Sequence, residues 1–289
     1  MKKNNERWDP LRPSPVDVKK ARQIPDTPQT RAPAYRLAFD DKDFLTREEL
    51  RPVRLQLELL KPEMLLQERG IESTVVLFGG ARIPAPGGAA WAAKNDTQKK
   101  NLEANSIYYD EARKFAYMAS LYSASTYHKE MVVVTGGGPG VMEAGSLGAT
   151  EAGAPNIGLN IVLPHEQAPN EYVTPGLCFN FHYFAIRKMH FLMRAKVIAV
   201  FPGGFGTMDE MFESLTLIQT QRMERLPFLL FGKNFWTKVI DFQELADQGT
   251  ISPEDIELFN FVDTAEEGWK LVAEHYDLPP EFHGQSNPA

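Results

Sequence analysis

The stretch KVIAVFPGGFGTMDEMFESLTLIQTQR, residues 196–222, joins an apolar run to an amphipathic run through a glycine-rich turn. The apolar half, Lys196 to Phe201, is typical of a buried strand, and the part after Gly206 is typical of a helix. Three glycines and a proline separate the two halves, and glycine is costly to order unless a turn needs its freedom. The sequence therefore predicts a strand, a turn and a helix, with the turn's backbone close to another group.

The same alternation of strands and helices extends over most of the chain. Continuous apolar runs such as STVVLFGG and MVVVT are typical of strands buried on both faces, and helical segments lie between them. This order predicts an α/β fold, a doubly wound, Rossmann-like parallel sheet with helices on both faces, in which ligands bind at the carboxyl ends of the strands. The predicted strands with their glycine ends are 73–80, 131–140, 156–164, 176–184, 196–204 and 226–232, and the predicted helices are 104–125, 141–153, 185–195, 206–222, 234–249 and 264–276.

Four regions are predicted along the chain. Residues 1–35 are rich in proline and charge, which is typical of an arm that is disordered or docked on another surface. A helical extension over 36–70 is expected next, followed by a nucleotide-binding domain over 71–280 and a tail over 281–289.

The helical extension carries its own signals. Thr46 and Glu49 resemble a capping box at a helix start, and Gly70 closes the segment. Pro52 and Pro62 are expected to divide it into shorter helices. Its leucines are too numerous for a solvated helix, so it should pack on the domain or on a neighbouring subunit.

Composition and charge exclude several classes of function. The chain has 289 residues, 43% hydrophobic and 24% charged, as in ordinary globular proteins. Its net charge of −7 disfavours a nucleic-acid polymer as partner. No apolar run approaches the ~18 residues of a membrane span, and the charged start lacks the apolar core of a signal peptide, so a cytoplasmic protein without a membrane partner is expected. The lone Cys178 has no disulfide partner or zinc-ligand neighbours, which favours a buried thiol.

Glycines stand at the carboxyl ends of three predicted strands, at residues 79–80, 136–138 and 203–204. Any one of these loops could be no more than a tight turn between a strand and a helix. Because the carboxyl ends of parallel strands lie at one edge of the sheet, three such loops together predict a ligand-binding edge.

The glycine loops match neither common nucleotide fingerprint. The loops that start at Gly136 and Gly204 do not give Gly-x-Gly-x-x-Gly, and Gly-Lys-Ser/Thr is absent, which disfavours NAD and long polyphosphates. The segment GGFGT instead offers backbone amides and the Thr207 hydroxyl at the positive end of a helix dipole, which suits a terminal monophosphate. The alternative role for Thr207 is a plain helix N-cap.

Charged residues flank this loop on both sides. Asp209 and Glu210 fall in the first helical turn, where the dipole alone favours acids, and Glu210 and Glu213 share a helix face. A carboxylate one turn from a bound phosphate lies near the sugar of a nucleotide, where it can stabilise an oxocarbenium-like centre or orient a water. Arg187 and Lys188 precede the same strand and are either a solvated helix face or contacts for an anion or a base.

Together these motifs resemble the LOG family, nucleoside 5′-monophosphate phosphoribohydrolases that include cytokinin-activating enzymes. Relatives in that family have often been described as possible lysine decarboxylases. The family signature Pro-Gly-Gly-x-Gly-Thr-x-x-Glu matches residues 202–210 at every fixed position, and the family's Arg-Lys pair corresponds to Arg187 and Lys188. The segments TGGGPGVMEAGSLGA (135–149) and FGGAR (78–82) complete the resemblance, which is to the longer bacterial members.

The resemblance implies an enzyme that hydrolyses the N-glycosidic bond of AMP or of a cytokinin riboside 5′-monophosphate. It implies no metal and no cofactor, and a homo-oligomeric state. The implied catalytic pair is Arg187 and Glu210. The implied phosphate site is Gly203, Gly204, Gly206 and Thr207, and the implied nucleotide pocket is Gly79, Gly80, Arg82, Gly136, Gly137, Gly138, Gly140, Glu143, Lys188 and Glu213.

The sequence also departs from short plant-type members, at Arg82, at Glu143 and in an insertion over 84–101, so the preferred base stays open. Other functions stay open as well: a nucleotide-binding regulatory protein without turnover, a phosphotransferase, and a carrier of a molybdenum-cofactor-like pterin. The missing phosphate-loop lysine counts against phosphotransfer. The decarboxylase description has no support in the residues, because no lysine has a context that marks pyridoxal phosphate attachment.

Overall fold

The computed structural model describes residues 13–164 and 168–278, and the chain forms two compact units, Met1–Leu57 and Glu58–Ala289. The predicted tail over 281–289 lies outside the described residues, as do the first twelve residues of the predicted arm.

The N-terminal unit contains short helices, and two of them fall within the predicted arm. The predicted capping box is wrong, because Thr46 ends a helix instead of starting one. Its hydroxyl donates to the carbonyl oxygen of Lys42, 2.9 Å away. The helices of this unit are α1 (Ser14–Ala21), α2 (Pro28–Arg31) and α3 (Lys42–Leu45), with 3-10 turns at Pro33–Tyr35, Ala38–Asp40 and Glu48–Leu50.

Helix α4 (Arg51–Glu68) is continuous, so the prediction that its prolines divide it is wrong. Pro52 lies in the first turn, where a missing amide hydrogen removes no helical bond. Pro62 lies inside the helix and is buried. It has no N–H to donate to the residue four positions earlier, so the carbonyl of Glu58 loses its helical partner.

The second unit is built on a seven-stranded parallel sheet. Its strands are β1 (Thr74–Phe78), β2 (Val132–Thr135), β3 (Asn156–Ile161), β4 (Cys178–Phe181), β5 (Ala195–Val200), β6 (Phe228–Phe231) and β7 (Asn260–Val262). They lie in the order β4-β3-β2-β1-β5-β6-β7. Six of them match predicted strands, whereas the short edge strand β7 was not predicted.

Helices cover both faces of this sheet. Successive side chains of a strand point to opposite faces, and Val75 lies in a buried cluster with Phe115, whereas its neighbour Val76 lies in a second cluster with Phe191. The predicted doubly wound, Rossmann-like α/β fold is therefore confirmed. The helices of this unit after α4 are α5 (Asp96–Ala104), α6 (Ile107–Ser125), α7 (Val141–Glu151), α8 (Phe184–Leu192), α9 (Phe205–Gln219), α10 (Lys233–Val239), α11 (Phe242–Asp247) and α12 (Ala265–His275).

Two helical segments differ from the prediction. The single helix predicted over 234–249 is interrupted between α10 and α11, where the Asp241 side chain accepts the amide of Glu244 at 3.0 Å and starts a new helix. Helix α5 was not predicted and lies largely within the insertion. The Asn95 side chain caps it by accepting the amide of Gln98 at 2.9 Å.

The three central strands place the glycine loops side by side. Strand β1 pairs with β2 on one side and with β5 on the other, so the chain order reverses between β1 and β5. In open α/β sheets, ligands bind in the crevice at the carboxyl ends of the strands where this reversal occurs. Gly79, Gly136 and Gly203 follow these three strands, and the fold therefore brings the predicted binding edge to the reversal point.

Helices α6 and α7 pack so closely that one glycine separates them. A Cβ atom on Gly148 would collide with the main-chain oxygen of Arg113. Because both partners are backbone, we expect Gly148→Ala to lower the free energy of unfolding by about 1–3 kcal/mol, measured by urea denaturation. Gly206→Ala is the control, since a Cβ there meets no atom within 4 Å. Equal unfolding free energies for the two variants would contradict this packing.

Candidate functional site

A cavity of about 850 Å³ opens at the carboxyl ends of β1, β2 and β5. This volume is in the range of small-molecule sites, which is about 300–1,000 Å³. Ten predicted site residues line it: Gly79, Gly80, Arg82, Gly136, Arg187, Gly203, Gly204, Gly206, Thr207 and Glu210. Six predicted site residues are not among its lining residues: Gly137, Gly138, Gly140, Glu143, Lys188 and Glu213.

The loop after β5 presents unpaired amides to this cavity. Gly204 precedes the helix and accepts the first helical hydrogen bond, from Met208 at 3.0 Å. The amides of Phe205, Gly206 and Thr207 have no acceptor within residues 13–164 and 168–278, as the first turn of a helix requires. Backbone amides and the helix dipole together favour an anion at this point.

Thr207 is the third residue of α9 and not its N-cap, because Gly204 holds that position. The threonine is buried yet lines the cavity. A Cβ atom on Gly203 would collide with the Thr207 side chain. Glycine at 203 therefore lets the loop lie directly against the threonine.

Arg187 and Glu210 form an ion pair at the wall of the cavity. Arg187 Nη1 lies 3.4 Å from Glu210 Oε1, and their side chains are 12% and 11% exposed. Arg187 Nε also donates to the main-chain oxygen of Leu159 at 2.7 Å, and the guanidinium carbon lies 5.1 Å from the ring centroid of Phe191. The guanidinium is therefore held on three sides.

Burial raises the pKa of Glu210 above its ordinary value, and the positive charge of Arg187 opposes this rise without cancelling it. The negative charge of Asp209 adds to the increase. A carboxyl group in this environment is suited to proton transfer or to stabilising a nearby cation.

Lys188 joins α8 to α9 beside the cavity. Its Nζ lies 2.9 Å from Asp209 Oδ1 and 3.0 Å from Glu213 Oε2. Burial opposes the charge of Lys188, but the hydrogen bonds to both carboxylates outweigh it and raise the pKa of the lysine. The bonds of Lys188 to Asp209 and Glu213 thus brace α9, which carries Glu210. Asp209 lines the cavity and lies beyond the first turn of α9, so its interpretation as a helix-start acid is wrong.

The loop after β2 makes room for the arginine. A Cβ atom on Gly136 would lie 2.7 Å from Arg187 Nη2. Gly137 and Gly140 have positive φ angles of 73° and 69° and pack against Asn160 and the main chain of Gly80 respectively. These two glycines shape the loop and do not face the cavity.

Glu143 serves the fold beside this loop. Its Oε1 accepts a hydrogen bond from the Tyr109 hydroxyl at 2.9 Å, which ties α7 to α6. Burial, together with this hydrogen bond, raises the pKa of Tyr109.

The other walls of the cavity were not found by sequence reasoning. Asn105, the C-cap residue directly after α5, lines one wall, and Phe205 at the cavity is 93% exposed. The signal that could have located this wall is the position of the insertion over 84–101, which follows the glycine loop after β1. Further lining residues without a sequence prediction are Leu102, Met142, Ile161, Leu163, Phe184 and Phe235.

The described residues contain neither a cluster of metal-ligating side chains nor a membrane-spanning helix. Within 13–164 and 168–278, no group of three or more His, Cys, Asp and Glu side chains is placed to hold a metal ion. In the same part of the chain, no helix has the length and apolar character to cross a membrane.

Several solved structures are similar to this chain at low sequence identity. The molybdenum cofactor binding protein from the phototrophic bacterium Rippkaea orientalis is 17% identical, with a TM-score of 0.44, over 71% of this chain and 98% of that chain. TM1055, a structural genomics target, is 20% identical, with a TM-score of 0.42, over 70% and 99%. The Moco carrier protein from Chlamydomonas reinhardtii is 16% identical, with a TM-score of 0.41, over 71% and 98%. Similarity at this level carries no argument about function.

No curated protein matches the chain. The family model described as "Possible lysine decarboxylase" matches residues 142–272. This segment carries the Arg187–Glu210 pair and the glycine loop before α9. Over residues 142–272 the chain therefore matches the model of the LOG family, the family that its motifs resemble.

Proposed function

We propose that this protein hydrolyses the N-glycosidic bond of a nucleoside 5′-monophosphate and releases a free base and ribose 5-phosphate. The observation that carries the proposal is the buried Arg187–Glu210 pair, which lines the same cavity as the unpaired amides at the start of α9. One cavity thus offers an anion site and a carboxylate for chemistry at a sugar.

The start of α9 binds the 5′-phosphate in this proposal. The amides of Phe205, Gly206 and Thr207 and the Thr207 hydroxyl donate to phosphate oxygens, and the helix dipole adds a favourable field. Gly203 and Gly204 allow the phosphate to approach the backbone. A monophosphate suits this arrangement, since it asks for amide donors and not for a bound metal.

Glu210 acts at the anomeric carbon, one helical turn from the phosphate. As the glycosidic bond breaks, its electron pair leaves with the base, and positive charge develops on the ribosyl ring. The Glu210 carboxylate stabilises this charge or takes a proton from the attacking water, whose oxygen forms the new bond to carbon. Arg187 orients the nucleotide and keeps Glu210 in place. The departing base carries the electron pair of the broken bond and takes up one proton, and the attacking water gives up one proton, so the step balances.

The base occupies the remainder of the cavity. Its walls include the apolar side chains Leu102, Phe184 and Phe235, together with the amide of Asn105. AMP and a cytokinin riboside 5′-monophosphate are the candidate substrates. We further propose that the protein works as a homo-oligomer in the cytoplasm.

A panel of nucleoside 5′-monophosphates, each paired with its dephosphorylated nucleoside, tests the proposal by chromatography of released base. We expect base release from at least one monophosphate and a kcat/KM at least ~100-fold lower for the matched nucleoside, because the amide site then stays empty. Equal rates for the pair would contradict the phosphate site. Nucleotide binding without release would indicate a regulatory nucleotide-binding protein instead.

The pH dependence of kcat follows from the burial of Glu210. Because burial raises the pKa of Glu210, the carboxylate takes up a proton at a higher pH than an ordinary glutamate, and the acidic limb of kcat should lie above 4.5. Asp209→Asn removes a charge that raises this pKa, so its limb should move to lower pH. The pH–rate profiles of the wild type and Asp209→Asn give the two limbs. If the acidic limb of kcat lies at the same pH in both proteins, Glu210 is not the group that causes it.

A further inference from the structure

The helix that carries Arg187 lacks a cap of its own. Helix α8 has no acidic residue in its first turn, and its preceding residue, Tyr183, makes no side-chain capping bond. Arg187 is only four residues into this segment, and its amide donates to the carbonyl oxygen of Tyr183 at 3.1 Å. The placement of the Arg187 backbone therefore depends directly on the position of Tyr183.

Glu58, on α4, supplies the missing cap. Its Oε1 accepts the amide of His182 at 2.9 Å, and its Oε2 accepts the amide of Tyr183 at 3.0 Å. A carboxylate at this position satisfies two orphan donors with charge-assisted bonds and complements the helix dipole. Both oxygens of one side chain are engaged, so the cap fixes direction as well as distance.

The main chain of Glu58 makes a second contact with α8, and Pro62 makes that contact available. The carbonyl of Glu58 has lost its helical donor to Pro62. His190 Nε2 lies 3.3 Å from this oxygen and donates to it. Burial lowers the pKa of His190, in keeping with a neutral imidazole donor. Glu58 therefore contacts both ends of α8, its side chain at the start and its carbonyl near the end, and Pro62 frees the carbonyl for the second contact.

We propose that Glu58 is a positioning residue for Arg187, acting through the first turn of α8. The proposal rests on the function proposed above, because its kinetic readout is base release. It assigns a role in the site to α4, which precedes the domain covered by the family resemblance. Arg187 lies on α8 and its ion-pair partner Glu210 lies on α9. A shift of α8 therefore moves the guanidinium away from Glu210 and from the proposed nucleotide site.

The test compares full-length Glu58→Gln with Glu68→Gln, an identical chemical change at an exposed position of the same helix. Glutamine has one acceptor oxygen and places an NH2 group against an amide donor, so half of the cap is lost. We expect Glu58→Gln to lower kcat on the order of 10-fold, less than the ~100-fold cost of a 1 Å misplacement, with KM changed much less. Glu58→Asp keeps both oxygens on a shorter stem, and its kcat should lie between those of the wild type and Glu58→Gln.

Two measurements without substrate keep the inference separate from the proposed function. In Glu58→Gln, the amides of residues 182–187 should exchange hydrogen faster, and the NMR signal of Arg187 Nε, which donates to Leu159, should shift. Unchanged exchange and an unchanged Nε signal would overturn the inference whether or not any nucleotide is hydrolysed. If the wild type has measurable turnover, an unchanged kcat in Glu58→Gln would overturn the inference as well. If the wild type released no base from any nucleotide but Glu58→Gln still altered both signals, the proposed function would be wrong, and Glu58 would remain the cap of α8.

Discussion

Changing Glu210 to glutamine is expected to lower kcat for base release from a nucleoside 5′-monophosphate by about 100- to 10,000-fold, which is the usual contribution of a positioned acid or base. Glutamine keeps the shape of the side chain but loses the negative charge that, in the proposed function, faces the sugar. The Kd of the nucleotide should change little, because the amides of α9 remain. Chromatography gives the rate of base release, and calorimetry gives the affinity.

Glu254→Gln is the matched control for this change, because Glu254 is exposed and lies away from the cavity. It should keep the wild-type kcat. A Glu210→Gln enzyme within about threefold of the wild-type kcat would remove Glu210 from the mechanism, since even a modest catalytic carboxylate contributes more. Loss of nucleotide binding in Glu210→Gln would instead place this side chain in ground-state recognition.

Arg187→Lys should reduce kcat by about 100-fold or more, comparable to the loss of one preorganised donor. The guanidinium contacts Leu159 and Glu210 at the same time through different nitrogens. A lysine has one charged nitrogen and cannot reproduce that fork. Steady-state kcat measures the effect, and Arg225→Lys, at an exposed arginine, is the control that should keep full activity.

A second variant at this position, Arg187→Met, separates charge from geometry. The positive charge of Arg187 lowers the pKa of Glu210, so its removal should let that pKa rise. The acidic limb of any residual activity should then move to higher pH in Arg187→Met and stay closer to the wild-type position in Arg187→Lys. A common limb for both variants would show that the arginine does not act on Glu210 through its charge.

Local patterns predicted the sheet, which the structure confirms, and they place the predicted binding edge at the cavity. The strands buried on both faces read as apolar runs, and the glycines after β1, β2 and β5 marked their carboxyl ends. Parallel strands place those ends at one edge, so the Arg187–Glu210 wall could be located by its distance along the chain from the glycine loop. The three-residue β7 is too short to give a pattern, and its pairing with β6 decides its structure.

The rest depended on contacts between distant parts of the chain. Pro62 predicts a helix break, yet α4 continues through it. The proline is buried, and the Glu58 carbonyl that it leaves without a helical partner is hydrogen-bonded to His190 instead. The family resemblance implies that Glu143 lines the nucleotide pocket, but the hydroxyl of Tyr109, 34 residues earlier in the chain, donates a hydrogen bond to its carboxylate. The wall that contains Asn105 lies at the end of α5, most of which falls within the insertion over 84–101. The capping residue Asn95 is the sequence signal for this helix.

Thr207, the proposed phosphate anchor, and Glu210 lie three residues apart on α9, and this spacing fixes the relative direction of their side chains. Each residue turns a helix by about 100°, so an insertion or deletion of one residue between Thr207 and Glu210 would rotate the carboxylate out of the cavity. The cavity wall at α5 is not bound by this spacing, because it belongs to a separate segment of the chain that follows β1. Under the proposed function, changes of base preference can therefore accumulate in the insertion while the first turn of α9 tolerates almost none.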